Sequence, residues 1–398
     1  MKEVVIVSAK RTPIGKFGGQ LARLNAVELG TVAAKAAIQA AGIAPDQIDQ
    51  AIFGNVLQAG SGQNVARQIA LKSGLRSSST AMTVNEVCGS GLKALRLAQS
   101  AILMGDAEVV LVGGTESMSQ APYLNTKMRF GSQFGDQVLM DSISSEGLND
   151  AFSHQPMGIT AENVAAKYEV TRAMQDEFAL HSHQKAAQAT QAGWFADEIT
   201  PVTIKTRKQT IEVTQDEAIR PETTLAAMAR LRPVFQAAGT VTAANASGIN
   251  DGASALIVMT KEKAVSMGIV YQATLGAYQE VGIDPDYMGV SPVTAIEQLL
   301  AKTQQTTADI DLFEINEAFA ASSVAVQQAL ALAPEKVNVA GGAVALGHPI
   351  GASGARIVTT LINQLKRTQQ TTGIAALCIG GGLGIAYEIQ LNEAWFND

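Results

Sequence analysis

The chain has 398 residues, 47% of them hydrophobic and 16% charged, with 36 glycines and a net charge of −7. That length exceeds one ordinary core and that composition excludes disorder, so two or three packed domains are expected. The acidic balance excludes nucleic acid as a general partner, while leaving room for an anionic small molecule gripped by a few arginines and lysines.

The N-terminus opens on a strand at residues 4–8, an apolar run too short for a signal peptide. A helix over 26–41 ends at Gly42, followed by a strand at 50–56, a helix at 65–73 and a strand at 81–84. Leu92, Leu95, Leu97, Ala98 and Ile102 then recur at roughly helical spacing, and 108–114 is another continuous apolar strand. Strands separated by helices indicate an α/β layer architecture with mostly parallel pairing. No apolar stretch approaches the ~20 residues of a membrane span, so no membrane partner is expected.

Cys88 falls between the 81–84 strand and the helix behind it. A helix N-terminus offers unpaired N–H groups and a favourable dipole, which lower a thiol pKa and yield the nucleophilic thiolate. Gly89 and Gly91 leave the backbone bare for close approach of a substrate. The alternative is a small buried cysteine at a tight turn. The one other cysteine, Cys378, is far away in sequence. The pair gives no disulfide framework and no metal spacing, and a reducing, cytoplasmic setting is expected.

Residues 119–157 are rich in Ser, Gly, Met and Gln without a clean period, and read as a long surface excursion. Residues 161–192 are strongly helical, whereas 220–224 and 240–252 read as polar loops. The C-terminal part then repeats the order of the first. Residues 310–316 match 48–55 in kind, Gly351-Ala352-Ser353-Gly354 echoes Cys88-Gly89-Ser90-Gly91, and 375–381 echoes the strand ending at Gly113-Gly114. Two related α/β halves explain this: residues 1–118 with part of 250–270, and 271–398, with 119–249 inserted between them.

Of four histidines, His181 and His183 are two apart in a helix and point to different faces, so they read as surface residues rather than a metal pair. His154 stays open. His348 sits where glycines and a proline dictate the backbone, which suits an acid/base or oxyanion group as well as a loop histidine satisfied by a carbonyl. Cys378 ends an apolar strand before Gly380-Gly381-Gly382, a turn whose N–H groups could hold an oxyanion; the plain alternative is a core cysteine. Asn316 closes another apolar strand, where an Asn caps a turn or orients a water.

Six segments in order, spanning essentially the whole chain, resemble the thiolase family: Asn85-Glu86-Val87-Cys88-Gly89-Ser90-Gly91, Arg220-Pro221-Glu222-Thr223-Thr224, Asn245-Ala246-Ser247-Gly248-Ile249-Asn250-Asp251-Gly252, Asn316-Glu317-Ala318-Phe319-Ala320, Gly347-His348-Pro349-Ile350-Gly351-Ala352-Ser353-Gly354 and Cys378-Ile379-Gly380-Gly381-Gly382. The resemblance implies duplicated α/β halves in a layered αβαβα sandwich with an inserted loop domain. It implies an acyltransferase acting on coenzyme A thioesters, with acetyl-CoA, acetoacetyl-CoA and CoA as partners and no permanently bound cofactor or metal. By the same resemblance Cys88 carries the acyl group and His348 takes the thiol proton. Asn316 places a water for the first oxyanion, Cys378 removes the α-proton of acetyl-CoA, and the N–H groups of Cys88 and Gly380 hold the second oxyanion. Ser247 would contact the pantetheine, and Leu148, Met157, Phe235, Ala243 and Phe319 would line its channel. Arg220 would lie by the nucleotide. The segment around 119–140 looks like the loop that ties thiolase dimers into homotetramers.

One position departs from the acetoacetyl-CoA-forming branch. That branch has His directly before Met-Gly, where this chain has Pro156, a feature of thiolases that degrade longer 3-ketoacyl-CoAs. His154 either substitutes or faces solvent, and 147–152 and 287–289 look like the short-chain branch. Acetyl-CoA acetyltransferase is the favoured expectation. A ketoacyl-carrier-protein synthase would use one Cys and two His, a non-catalytic acyl-CoA-binding protein would have lost Cys88, His348 or Cys378, and a two-cysteine redox protein fails on spacing.

Overall fold

The computed structural model describes residues 2–206 and 208–397; Met1, Arg207 and Asp398 lie outside the described residues. The first half comprises β1 (Val4–Arg11), α1 (Ala26–Ala41), β2 (Gln50–Gly54), α2 (Val65–Lys72), β3 (Thr80–Val84), α3 (Ser90–Met104) and β4 (Val109–Ser117). The excursion carries α4 (Met157–Lys167) and α5 (Arg172–Gln191), and the chain returns to the first half through β5 (Asn250–Thr260). The second half holds β6 (Ala273–Gly282), α6 (Ser291–Thr303), β7 (Leu312–Ile315), α7 (Ala320–Ala329), α8 (Ser353–Thr368), β8 (Thr372–Ile379) and β9 (Leu383–Leu391).

Local chemistry sets the helix ends. The Asn25 side chain accepts from the Glu28 N–H while the Glu28 carboxylate accepts from the Asn25 N–H, and α1 stops at Gly42 in the left-handed region. The helical stretch expected over 161–192 is two helices. Glu169 at φ 55° ends the first turn of the break, and the Thr171 hydroxyl accepts from the Met174 N–H to start α5.

The strands form one sheet in the order β3-β2-β4-β5-β1-β6-β9-β8-β7, with the short strand Gly15–Lys16 paired to β5. The order β2-β4-β5-β1 recurs as β7-β8-β9-β6 with the same directions, a parallel pair followed by antiparallel ones. The halves join where Val5 and Ile6 of β1 pair Thr274 and Ala273 of β6. The expectation of mostly parallel pairing is overturned: parallel neighbours are confined to β3-β2-β4 and β7-β8. The turn at Gly380–Gly382, with Gly381 and Gly382 at φ 88° and 85°, is too short to join β8 and β9 in any but the antiparallel sense. The polar loop expected over 240–252 is also shorter, because Asn250, Asp251 and Gly252 already belong to β5.

Layering follows from which faces are apolar. Leu92, Leu95 and Ile102 of α3 and Ile357, Leu361 and Leu365 of α8 pack between Ile6, Val112 and Leu256 of one half and Leu377, Ile379 and Ile389 of the other. α1 and α2 cover the far face of the first half, and α6 and α7 that of the second. The result is a five-layer αβαβα sandwich. Each fully buried Leu or Ile in the middle layer contributes roughly 1.5–3 kcal/mol over exposure. At their N-termini α3 and α8 touch backbone to backbone: a Cβ on Gly91 would lie 2.5 Å from the Ala355 nitrogen, and one on Gly354 2.2 Å from the Leu92 nitrogen. Only glycine permits that approach, and it brings the start of one helix to the start of the other. Among the described residues no helix is long and apolar enough to cross a membrane.

Candidate active site

β3 delivers the chain into a tight turn ahead of α3. Asn85 Oδ1 accepts the Val87 N–H (3.0 Å), the Ser90 hydroxyl accepts the Glu86 N–H (2.8 Å) and donates to the Val87 carbonyl (2.7 Å), and the Gly89 N–H donates to the Glu86 carbonyl (2.9 Å). Together they hold Val87 at φ 47°. A β-branched residue occupies the left-handed region at a cost of about 1–3 kcal/mol, so this strain is imposed by the turn. Its effect is to set Cys88 on the wall of a pocket at the start of α3.

The facing group comes from the second half. Gly347, at φ 113°, leaves room for Asn250, whose Oδ1 accepts the His348 N–H (2.9 Å). The His348 ring then spans two partners, with Nε2 3.3 Å from Cys88 Sγ and Nδ1 2.6 Å from Ser353 Oγ. Ser353 donates its one proton to the Pro349 carbonyl (3.0 Å). Oγ is left to accept Nδ1–H, which puts the imidazole lone pair on Nε2, facing the thiol.

Burial, aided by the charge of Arg356, pushes His348 down to about 3. Burial pushes the Cys88 thiol up to about 11, against the N–H groups of Gly380 and of Cys88 itself, and the buried Glu116 adds to the rise. The expectation that the helix N-terminus would lower the Cys88 pKa is therefore wrong. The Gly89 and Ser90 N–H groups are already spent on the carbonyls of Glu86 and Val87, and desolvation prevails. At rest both groups are neutral, and the thiol must pass its proton to Nε2 as it attacks.

Asn316, at the end of β7, is buried behind the ring, its Nδ2 3.5 Å from both ring nitrogens and its Oδ1 3.3 Å from Arg356 Nη2. Glu116 on β4 is wholly buried, and among the described residues no cation pairs with it. It accepts from Asn55 Nδ2 (2.8 Å) and from the N–H groups of Val56 (3.0 Å), Leu57 (3.1 Å) and Gly351 (2.9 Å), tying the loop after β2 to the His348 turn. Cys378 on β8 is buried against Met288 and Ala318, with Met157 and Phe319 beside it. Burial, with the neighbouring Cys88 sulfur, pushes it up to about 12.

The pocket encloses about 390 Å³ and gathers Cys88, His348, Gly380, Leu148, Met157, Phe235, Ser247 and Phe319. Phe235 and Phe319 meet edge to face at 6.4 Å, and Gly158 leaves the space that the Phe235 ring fills. Ser247 donates both N–H and hydroxyl to the Ala318 carbonyl, so its oxygen remains an acceptor. Cys378 and Asn316 stand behind the wall. Ala243 and Arg220 are exposed and lie outside the lining of this pocket. Pro156 is on the wall, while His154 is exposed and away from it, so His154 does not stand in for the missing side chain. His183 is not a surface residue: it is 2% exposed, and its Nδ1 accepts the Arg220 N–H (3.2 Å). Sequence reasoning gave no role to Ser353, Arg356, Glu116, Ser90 or Asn250. Ser90, Asn250 and Ser353 lie inside the quoted motifs, and that was their only signal. Among the described residues no group of His, Cys, Asp and Glu is arranged to hold a metal.

The family model described as "Thiolase, N-terminal domain" matches residues 4–262, and "Thiolase, C-terminal domain" matches 269–391. The chain is 52% identical to an acetyl-CoA acetyltransferase of Cupriavidus necator, over 98% of this chain and 100% of that protein. It is 50% identical to a probable acetyl-CoA acyltransferase of Staphylococcus aureus, over 97% and 98% of the two. Among solved structures, a Bacillus anthracis acetyl-CoA acetyltransferase and a human mitochondrial 3-ketoacyl-CoA thiolase both superpose with a TM-score of 0.96 at 43% identity, covering 98% of this chain and 99% of theirs.

Proposed function

The chain belongs to the thiolase family and is an acyltransferase, and on that premise we propose that it condenses two acetyl-CoA into acetoacetyl-CoA and CoA, and runs the reverse thiolysis, through an acyl-Cys88 intermediate. The observation that carries the reading is the 3.3 Å contact between Cys88 Sγ and the unprotonated Nε2 of His348.

Cys88 passes its proton to Nε2 while Sγ bonds to the acetyl carbonyl carbon. The oxyanion collapses, the C–S bond to CoA breaks, and the departing thiolate takes the Cys378 proton. Cys378, a strong base because burial opposes its charge, removes the α-proton of a second acetyl-CoA. The carbanion attacks the acyl-Cys88 carbonyl, whose oxyanion meets the N–H groups of Cys88 and Gly380. Collapse releases acetoacetyl-CoA, and the Cys88 thiolate recovers its proton from His348. The pantetheine arm would lie along Phe235, Phe319, Leu148 and Met157 with Ser247 accepting from it, and Arg220 at the nucleotide end. Residues 119–140, with Phe130 and Phe134 almost wholly exposed, would bury those rings in a homotetramer of a cytoplasmic enzyme.

A second reading rests on Pro156, which occupies the pocket wall and favours longer 3-ketoacyl-CoAs. CoA-dependent thiolysis of acetoacetyl-CoA beside a medium-chain 3-ketoacyl-CoA, with Cys88→Ala as blank, separates the two. Preference for acetoacetyl-CoA is expected. Equal or better turnover of the longer substrate installs the degradative reading, and no turnover of either leaves only a non-catalytic acyl-CoA binder.

A further inference from the structure

We infer that Arg356, which touches nothing in the pocket, fixes which end of the Asn316 carboxamide faces the reacting carbonyl and is a positioning residue for acyl transfer. Arg356 lies in the first turn of α8 and is 2% exposed. Its Nη1 donates to Glu314 at 2.7 Å and its Nη2 to Asn316 Oδ1 at 3.3 Å. A guanidinium has five donors and no acceptor, so the carboxamide must turn its oxygen to it. The flipped amide would set N–H against N–H in a buried site, losing the bond and leaving the oxygen unpaired.

With the oxygen claimed, the Nδ2 end of Asn316 is the end turned toward His348. The 3.5 Å separations from the two ring nitrogens are too long for strong bonds, and those nitrogens are already engaged by Ser353 and Cys88. The Asn316 donors are thus held free for what arrives beside the ring. A developing oxyanion, met directly or through one water, needs donors there; the flipped amide would present lone pairs to it. Glu314 makes this possible by pairing the buried guanidinium, which could not otherwise sit at full charge behind the pocket. The inference rests on the acyl-transfer reading of Asn316.

The test is a mutant cycle in acetoacetyl-CoA thiolysis. Glu314→Gln with Arg356→Met removes the ion pair together and is placed in the wild-type and Asn316→Ala backgrounds. The expected result is a kcat loss of about 10- to 100-fold with KM within about 2-fold in the first background, and a further loss below about 3-fold in the second. Equal losses in both backgrounds, or an unchanged kcat in the first, overturn the role of Arg356. An Asn316→Ala enzyme with wild-type kcat instead overturns the reading of Asn316 itself. Should the paired variant fail to fold, Arg356→Lys carries the same cycle, because one ammonium cannot hold Glu314 and Asn316 in the guanidinium geometry. Its smaller kcat loss is expected to vanish in Asn316→Ala, and persistence there overturns the inference.

Discussion

The Nδ1 atom of His348 stands 2.6 Å from Oγ of Ser353, and that contact decides which ring nitrogen faces Cys88. A free imidazole carries its proton on either nitrogen; this one is held to Nδ1–H because the Ser353 proton goes to the Pro349 carbonyl. Ser353→Ala is expected to lower kcat by about 10- to 100-fold, some 1.4–2.7 kcal/mol, with little change in KM. Steady-state thiolysis measures it, and a kcat within twofold of wild type would show that the tautomer needs no help.

Cys378 forms no bond to the acyl group, and the proton it gives the departing CoA thiolate can come from solvent instead, so Cys378→Ala should separate the two half-reactions. Incubated with acetyl-CoA, the variant is expected to carry an acetyl group on Cys88, visible by intact-protein mass spectrometry, while condensation and thiolysis stop. An unmodified variant, or one that still turns over, contradicts the division of labour between the thiols.

The buried His183 ties acid stability to the Arg220 loop. Burial, then the charge of Arg220, depresses it from 6.5 to about 4. A depressed folded-state pKa means the unfolded chain binds the proton first, so this contribution is full above pH 6.5 and is lost as pH falls toward 4. The window is worth on the order of 2 to 3 kcal/mol. His183→Asn keeps an acceptor for the Arg220 N–H without titrating. Its Tm should fall less steeply than that of wild type between those pH values, and parallel curves would exclude His183 as a source.

At Val87 the usual ranking of small residues should invert. Glycine adopts φ 47° freely, whereas alanine pays about 1–2 kcal/mol there, more than glycine loses to chain entropy. Val87→Gly is therefore expected to be more stable than Val87→Ala by about 0.5–1 kcal/mol in urea unfolding. The opposite order would mean that the turn relaxes once the isopropyl group is gone.

Much of this was legible in the sequence where the determinants are local. The ends of α1 follow from Asn25, Glu28 and Gly42. Strand direction was not, because both faces of β8 are covered and its continuous apolar run looks like that of a strand in a parallel sheet. The Cys88 thiol was misjudged because sequence places it at a helix start without revealing the burial that raises it, or that the Gly89 and Ser90 N–H groups are consumed by the turn. Arg356 and Asn316 lie far apart in the chain, and nothing on either residue announces the other. His183 was hidden by polar neighbours on α5, since Gln175, Asp176 and Ser182 are buried with it and the helix lacks an apolar stripe.

On a ribosome the first half emerges well before residues 348–354. With α8 still unmade, the place where Gly354 meets Gly91 stands empty and Cys88 has no imidazole beside it, so the nascent chain carries an ordinary thiol. Competence toward thioesters arrives in one event, when α8 seats its glycine against α3 and brings His348 and Ser353 with it. A product stalled or cleaved between the halves accordingly lacks the imidazole that takes the Cys88 proton.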